Sequence, residues 1–298
     1  MSRLQANFLL LLAGMIWGMG FVAQSTAMAS IGPFMFIAVR SVIASFSILP
    51  MAMAEGKRAR KRLSRRDYFF FAAIGLVLFI GLAAQQIGLQ TTSVTNAGFL
   101  TGLYLILVPV LGVLIFRAWP HGIIWPCSLA ALAGIYLLSG GELSALKQGD
   151  WLVMFGAFFW ALQVLLIGQA NRTGRPITLS VVQFATCGVV GFIFAFALGE
   201  VDWSAVGATW KQLLFTGVFS SGVAFTLQAI GQRYTTPPQA AIFLSSEALF
   251  AALFGAIFLS ERLSFAGLVG CALIFISMLA VEIIPMLVAR RRPITLTP

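Results

Sequence analysis

The hydrophobic positions of this chain run in long unbroken blocks, without the alternation of a half-buried strand or the narrow stripe of a soluble amphipathic helix. The blocks are close to the roughly 20 residues that an α-helix needs to cross a bilayer, and they are separated by short stretches of charge, Gly and Pro. They predict ten spans, at about 7–27, 34–54, 68–88, 94–116, 123–139, 151–170, 177–199, 212–231, 238–259 and 263–286. The expected fold is therefore an all-α integral membrane protein with ten transmembrane helices. The connections are short, so any function belongs to the helix bundle itself. The first block has the small-residue sequence Ala27-Met28-Ala29 after it, as a signal peptide would. It is long for such a segment and has only Arg3 before it, and it is read as the first span.

Composition removes the soluble alternative. Of 298 residues, 60% are hydrophobic and 9% charged, against about 25% charged in a soluble domain. The net charge of +10 is placed for lipid rather than for nucleic acid. Seven of the 19 Lys and Arg lie between Lys57 and Arg66, and three more are Arg290, Arg291 and Arg292. Ten spans put both termini on one side, and that side collects 15 of the 19 cations; the opposite side holds Lys147, Lys211 and Arg262, and Arg40 lies inside the second span. By the positive-inside rule both termini face the cytoplasm, and a bacterial inner membrane is expected. Membrane lipid is the expected surroundings, and oligomeric state is left open.

The chain repeats itself. Trp17 falls on Trp160, Pro33 on Pro176, Val39 on Val182 and Gly112 on Gly255, all at one gap-free offset. Gln85, Ile87, Gly88, Thr92 and Ala97 fall likewise on Gln228, Ile230, Gly231, Thr235 and Ala240. Two domains are expected, residues 1–144 and 145–298, each with five spans. Five is odd, so the second half enters the membrane from the other side. Inverted repeats of this kind exchange conformations around a midplane site in alternating-access transporters, whereas a channel needs a ring of like groups.

Two such halves resemble the drug/metabolite transporter superfamily and its EamA-type exporters. The segment Leu259-Ser260-Glu261-Arg262-Leu263-Ser264, with Gly267 and Gly270 after it, is similar to that family's Glu-Arg turn and glycine-bearing last helix; Gly14-Met15-Ile16-Trp17-Gly18 resembles its first-helix motif. The first half departs from the pattern with Arg117-Ala118-Trp119-Pro120. The whole pattern looks most like bacterial exporters of aromatic and other amino acids. The resemblance implies a small-molecule substrate, with amino acids expected and a sugar-phosphate, nucleotide-sugar or drug cargo as the alternative.

Trp17 and Trp160 sit near mid-depth, away from the interfacial belts where lipid-facing Trp collects. Facing a central cavity they would suit aromatic side chains or an ammonium group; the alternative is that they fill helix gaps. Glu247, at the middle of the ninth span and opposite Tyr104 in the repeat, is costly at that depth. It either meets substrate or a proton, or is paired internally through Ser245 or Ser246. Trp17, Tyr104, Trp160, Gln163, Glu247 and Ser245 form the expected substrate wall, with Gln24, Gln183 and Ser41 as weaker candidates. Gln85, Gln86 and Gln228 lie near helix ends and suit a gate or an end cap. Gly18 and Gly81 are expected hinges, and Pro109 an expected kink because it removes an intrahelical hydrogen bond. Arg40, seven residues into its span, could attract a carboxylate, but an outward-reaching structural role is preferred. Glu282 is expected to reach the interface.

No catalytic set is apparent. The single histidine, His121, lies in a connection, and Cys127, Cys187 and Cys271 sit in apolar blocks as packing residues. No enzyme activity, cofactor or metal site is expected.

Overall fold

The computed structural model describes residues 1–59, 61–92, 94–138, 147–258 and 264–290. The Leu259–Leu263 part of the expected Glu-Arg turn, Arg291, Arg292 and the expected domain boundary lie outside the described residues. The rest is helical, with no strand among the described residues. In order, the helices are α1 (Arg3–Ala27), α2 (Pro33–Arg58), α3 (Arg65–Gly88), α4 (Val94–Thr101), α5 (Tyr104–Phe116), α6 (Ile124–Leu138) and α7 (Gln148–Ala170). They continue with α8 (Pro176–Ala197), α9 (Trp203–Ala208), α10 (Trp210–Leu214), a π-helical segment Phe215–Val223, α11 (Ala224–Gly231), α12 (Pro237–Leu244), α13 (Ser246–Phe258) and α14 (Phe265–Arg290). Eight spans are long and apolar enough to cross a membrane, α4–α5 and α10–α11 counting as one each. The short α6 and the broken α12–α13 complete ten.

Some helices outrun their apolar blocks because polar residues cap their ends. Ser2 accepts from the Gln5 amide at 3.2 Å while Gln5 Oε1 accepts from the Ser2 amide at 2.8 Å, and Ser64 and Asp67 close the same box on α3.

The element series repeats in the sequence register: α4 and α5 correspond to α12 and α13, down to the interruption between them. At Gly102–Leu103 the ladder tightens, with Leu105 donating to the Gly102 carbonyl at 3.0 Å; the equivalent Ala248 donates to Ser245 at 3.1 Å. Such three-residue steps end one α-helix and start another. The interruption in this span therefore lies before Pro109, which remains inside α5. Nor do α1 and α3 break at Gly18 or Gly81.

The halves face each other in an inverted arrangement around a pseudo-two-fold axis. Each of α2 and α6 packs on its own counterpart, α8 and α14 respectively. Gly134 and Gly270 let the latter pair touch through backbone: a Cβ on Gly134 would lie 2.6 Å from the Gly270 carbonyl oxygen. α2 and α8 cap each other reciprocally. Glu55, near the end of α2, accepts from the amides of Ile177 and Thr178 at 3.1 and 2.9 Å. Glu200, just past α8, accepts from the amide of Phe34, the residue equivalent to Ile177, at 2.8 Å. A carboxylate at a helix N-terminus satisfies orphan donors and complements the dipole. The starts of α1 and α12 and the end of α14 meet on one face, where Arg3, Asn7 and Gln239 all bond Glu282.

Candidate functional site

The two helix interruptions meet at a central cavity of about 50 Å³. Discontinuous helices are where transporters of inverted design expose backbone and polar groups to cargo. Sixteen residues line it, and twelve of them are six pairs in the repeat register: Trp17 with Trp160, Phe21 with Val164, Leu82 with Phe225, Gln85 with Gln228, Thr101 with Leu244, and Tyr104 with Glu247. A wall built of symmetry mates puts the cavity on the pseudo-two-fold axis. The four unmatched residues, Gln24, Arg40, Gln163 and Ser220, are all polar and break the symmetry of the lining.

Arg40 carries most of that asymmetry. It is 1% exposed; its Nε donates to Ser221 Oγ at 3.0 Å and its Nη1 to Gln24 Oε1 at 2.9 Å. Gln24 is held in turn by Gln86, which donates to the same oxygen at 2.5 Å. The Phe36 ring lies 5.6 Å from the guanidinium. No carboxylate among the described residues pairs with Arg40, and Nη2 donates to none of them. A buried cation without a counter-charge is strongly unfavourable, so the arrangement favours an anionic group arriving from the cavity. Glu247, which lines the same cavity, makes no hydrogen bond or ion pair with the described residues. Among the described residues, the cavity thus presents a guanidinium and a carboxyl group that do not pair with each other.

The remaining polar groups are partly committed. Gln228 donates to Gln163 at 3.2 Å, leaving Gln163 Nε2 and Gln228 Oε1 without partners. The pair therefore offers one donor and one acceptor, whichever way the amides are turned. Trp17 Nε1 donates to the Ser220 carbonyl at 2.9 Å, whereas the equivalent Trp160 Nε1 is buried without a partner. Tyr104 reaches the Ala241 carbonyl at 3.4 Å.

Of the expected substrate wall, Trp17, Tyr104, Trp160, Gln163 and Glu247 lie on the cavity. Ser245 does not: its hydroxyl is turned to the Ile242 carbonyl at 2.7 Å. Gln85 and Gln228, expected at a gate, line the cavity, and Gln86 stands behind it as the support of Gln24. Ser41 and Gln183 are buried off the wall. Arg40, instead of reaching outward, lines the cavity and bonds Ser221 and Gln24. Its partners come from α1 and the π-helical segment, a convergence that no local pattern records. Phe225, Ser220 and Thr101 were not singled out; the repeat register pairs Phe225 with Leu82 and gives neither an obvious polar signal.

The ends of the bundle are tied by ion and hydrogen-bond clusters. Glu282 lies at one end of the bundle, where Asn7 donates to it at 2.8 Å, Gln239 at 2.6 Å, and Arg3 pairs with it at 3.3 Å. At the far end, Asp150, the repeat equivalent of Asn7, accepts from the Lys147 amide at 2.7 Å and from Thr92.

Ten spans in two inverted halves, with a polar, aromatic cavity on their shared axis, define a membrane transporter of small molecules. The EamA-like transporter family matches residues 4–140 and again 147–282, and the chain belongs to that family. An uncharacterized transporter of Archaeoglobus fulgidus is 32% identical over 256 residues, covering 85% of this chain and 78% of its own. A WAT1-related chloroplastic protein of Arabidopsis thaliana is 23% identical over 284 residues, 89% of this chain and 66% of its own. A crystal structure with 18% identity superposes with a TM-score of 0.78, covering 96% of this chain and 99% of that one, which speaks for the fold.

Proposed function

We propose that the protein exports amino acids, aromatic ones included, by alternating access across a bacterial inner membrane, with both termini in the cytoplasm. The observation that carries this reading is that the guanidinium of Arg40 and the carboxyl group of Glu247, neither in an ion pair with the described residues, line one cavity with two indoles. A zwitterion supplies what each lacks: its carboxylate meets Arg40 in a charge-assisted hydrogen bond, and its ammonium meets Glu247 and the indole faces. A doubly anionic sugar phosphate would find a single cation on this wall. The excess of Lys and Arg on the terminal side supports the orientation.

Counterflow in liposomes containing the purified protein tests the reading. Labelled aromatic amino acids should enter saturably and faster against an internal load of the same compound. Arg40→Gln and Glu247→Gln should each weaken apparent affinity by about 10-fold or more, as expected for a lost hydrogen bond to a charged group. Exchange of no aromatic or aliphatic amino acid would overturn it. Glu247→Gln exchange with an unaltered pH profile would remove the carboxylate from any proton coupling.

A further inference from the structure

Among the described residues, Phe225 is the aromatic side chain in ring contact with both symmetry-related indoles. It is 2% exposed. Its ring centroid lies 4.7 Å from that of Trp17, edge-on at 60°, and 6.0 Å from that of Trp160 at 30°. Phe184 closes a third side at 5.1 Å and 84°. These are the separations at which aromatic pairs attract beyond simple burial. Its repeat mate, Leu82, is aliphatic, so at this pair of positions only the second half carries a ring. The cavity volume left beside it is about 50 Å³.

We propose that Phe225 stands in for the cargo: it fills the ring subsite between Trp17 and Trp160, and an aromatic cargo side chain takes that place when Phe225 withdraws. The proposal rests on the reading of this cavity as the cargo site, and narrows it to a subsite for a planar ring. The means of withdrawal is built into the helix. Phe225 is the second residue of α11, directly after the π-helical segment Phe215–Val223, whose wider turns hold an extra residue. The equivalent stretch of the first half, 72–80, is plain α-helix within α3. Inverted repeats exchange shapes during transport, so the second half has an α-helical alternative already displayed by the first. Converting the π segment to it turns α11 by about 100°, one residue of α-helical phase, and carries Phe225 off the indoles. The indole hydrogen bonds follow the same division. Trp17 bonds Ser220 inside the π segment, and Trp160, facing regular helix, bonds nothing.

Binding of indole to the purified full-length protein in detergent tests this without requiring transport, since indole is neutral and uses neither Arg40 nor Glu247. Phe225→Ala should bind indole about 10-fold more tightly than the natural chain, which must first withdraw its own ring and loses affinity by the fraction so opened. Adding Trp160→Ala to that variant should abolish the gain. Phe225→Leu, a milder change, should shift affinity in the same direction and serves if the alanine variant does not fold. Equal affinity in the natural chain and the variants, or a gain insensitive to Trp160→Ala, would overturn the proposal. A chain that fails to exchange amino acids yet shows this indole pattern would overturn the cargo reading and leave the ring subsite standing.

Discussion

The indole N–H of Trp17 has an acceptor at 2.9 Å and that of Trp160 has none, though the two residues are repeat mates on one wall. Replacing each by Phe removes the same atom and should have unequal effects. Trp17→Phe loses a formed hydrogen bond, at about 1 kcal/mol net; Trp160→Phe removes a buried donor that was never satisfied. The expected outcome in detergent is a midpoint of thermal unfolding about 2–4 °C lower for Trp17→Phe than for Trp160→Phe. In counterflow the order should reverse, because the free Trp160 donor is the one left for cargo. Midpoints that fall equally would mean that the Ser220 bond contributes nothing.

Among the elements, α1 and α13 make the closest approach near the cavity. A Cβ on Gly14 would lie 2.2 Å from Ser246 Oγ, and one on Gly18 2.7 Å from both the Ala251 nitrogen and the Glu247 carbonyl oxygen. The repeat equivalents on α7 are Ala157 and Ala161, so the matching approach of α7 to α5 carries side chains where α1 has none. Gly18 acts here as a contact and Gly81 is loose, its Cβ having nothing nearer than 3.5 Å. Gly18→Ala should destabilise by about 1–3 kcal/mol, as overpacking against backbone does, and Gly81→Ala should be neutral or stabilise by up to about 1 kcal/mol. Chemical or thermal unfolding of the two variants side by side checks the contrast. The spans and their register were legible in the sequence, because bilayer thickness sets block length and Trp17, Pro33 and Gln85 recur with their mates. The interruptions and the π segment were not. Whether a backbone carbonyl bonds three, four or five residues on is decided by what packs against it, and Pro109 sits inside an intact helix while the ladder breaks at Gly102. For the same reason Trp17, Trp160 and Glu247 could be found by depth and repeat, whereas Arg40 and Phe225 needed partners from distant helices to reveal their direction.

At the scale of the whole molecule, the proposed alternating-access cycle opens one end of the bundle at a time, and the two ends are tied differently. On the terminal face, Glu282 gathers Arg3, Asn7 and Gln239 and so joins α14 to α1 and α12; on the other, Asp150 and Thr92 join α7 to the end of α3. The Arg3 side chain is 41% exposed, so its ion pair is weak, and the hydrogen bonds from Asn7 and Gln239 to a carboxylate supply most of the tie. The proposed cycle needs such ties to be small enough to break and large enough to favour one state. Glu282→Gln should then raise the open population on the terminal face alone, by about 10-fold for a loss near 1.4 kcal/mol. Thr101→Cys on the cavity wall, in a chain whose Cys127, Cys187 and Cys271 are replaced by Ala, reports this as the rate of labelling by a membrane-impermeant maleimide. The rate should rise about 10-fold from the terminal face and stay level or fall from the other, because opening one end of a two-state carrier depopulates the opposite opening. An equal rise from both faces would mean that Glu282 merely holds the bundle together, and an unchanged rate from the terminal face would mean that the tie lies elsewhere.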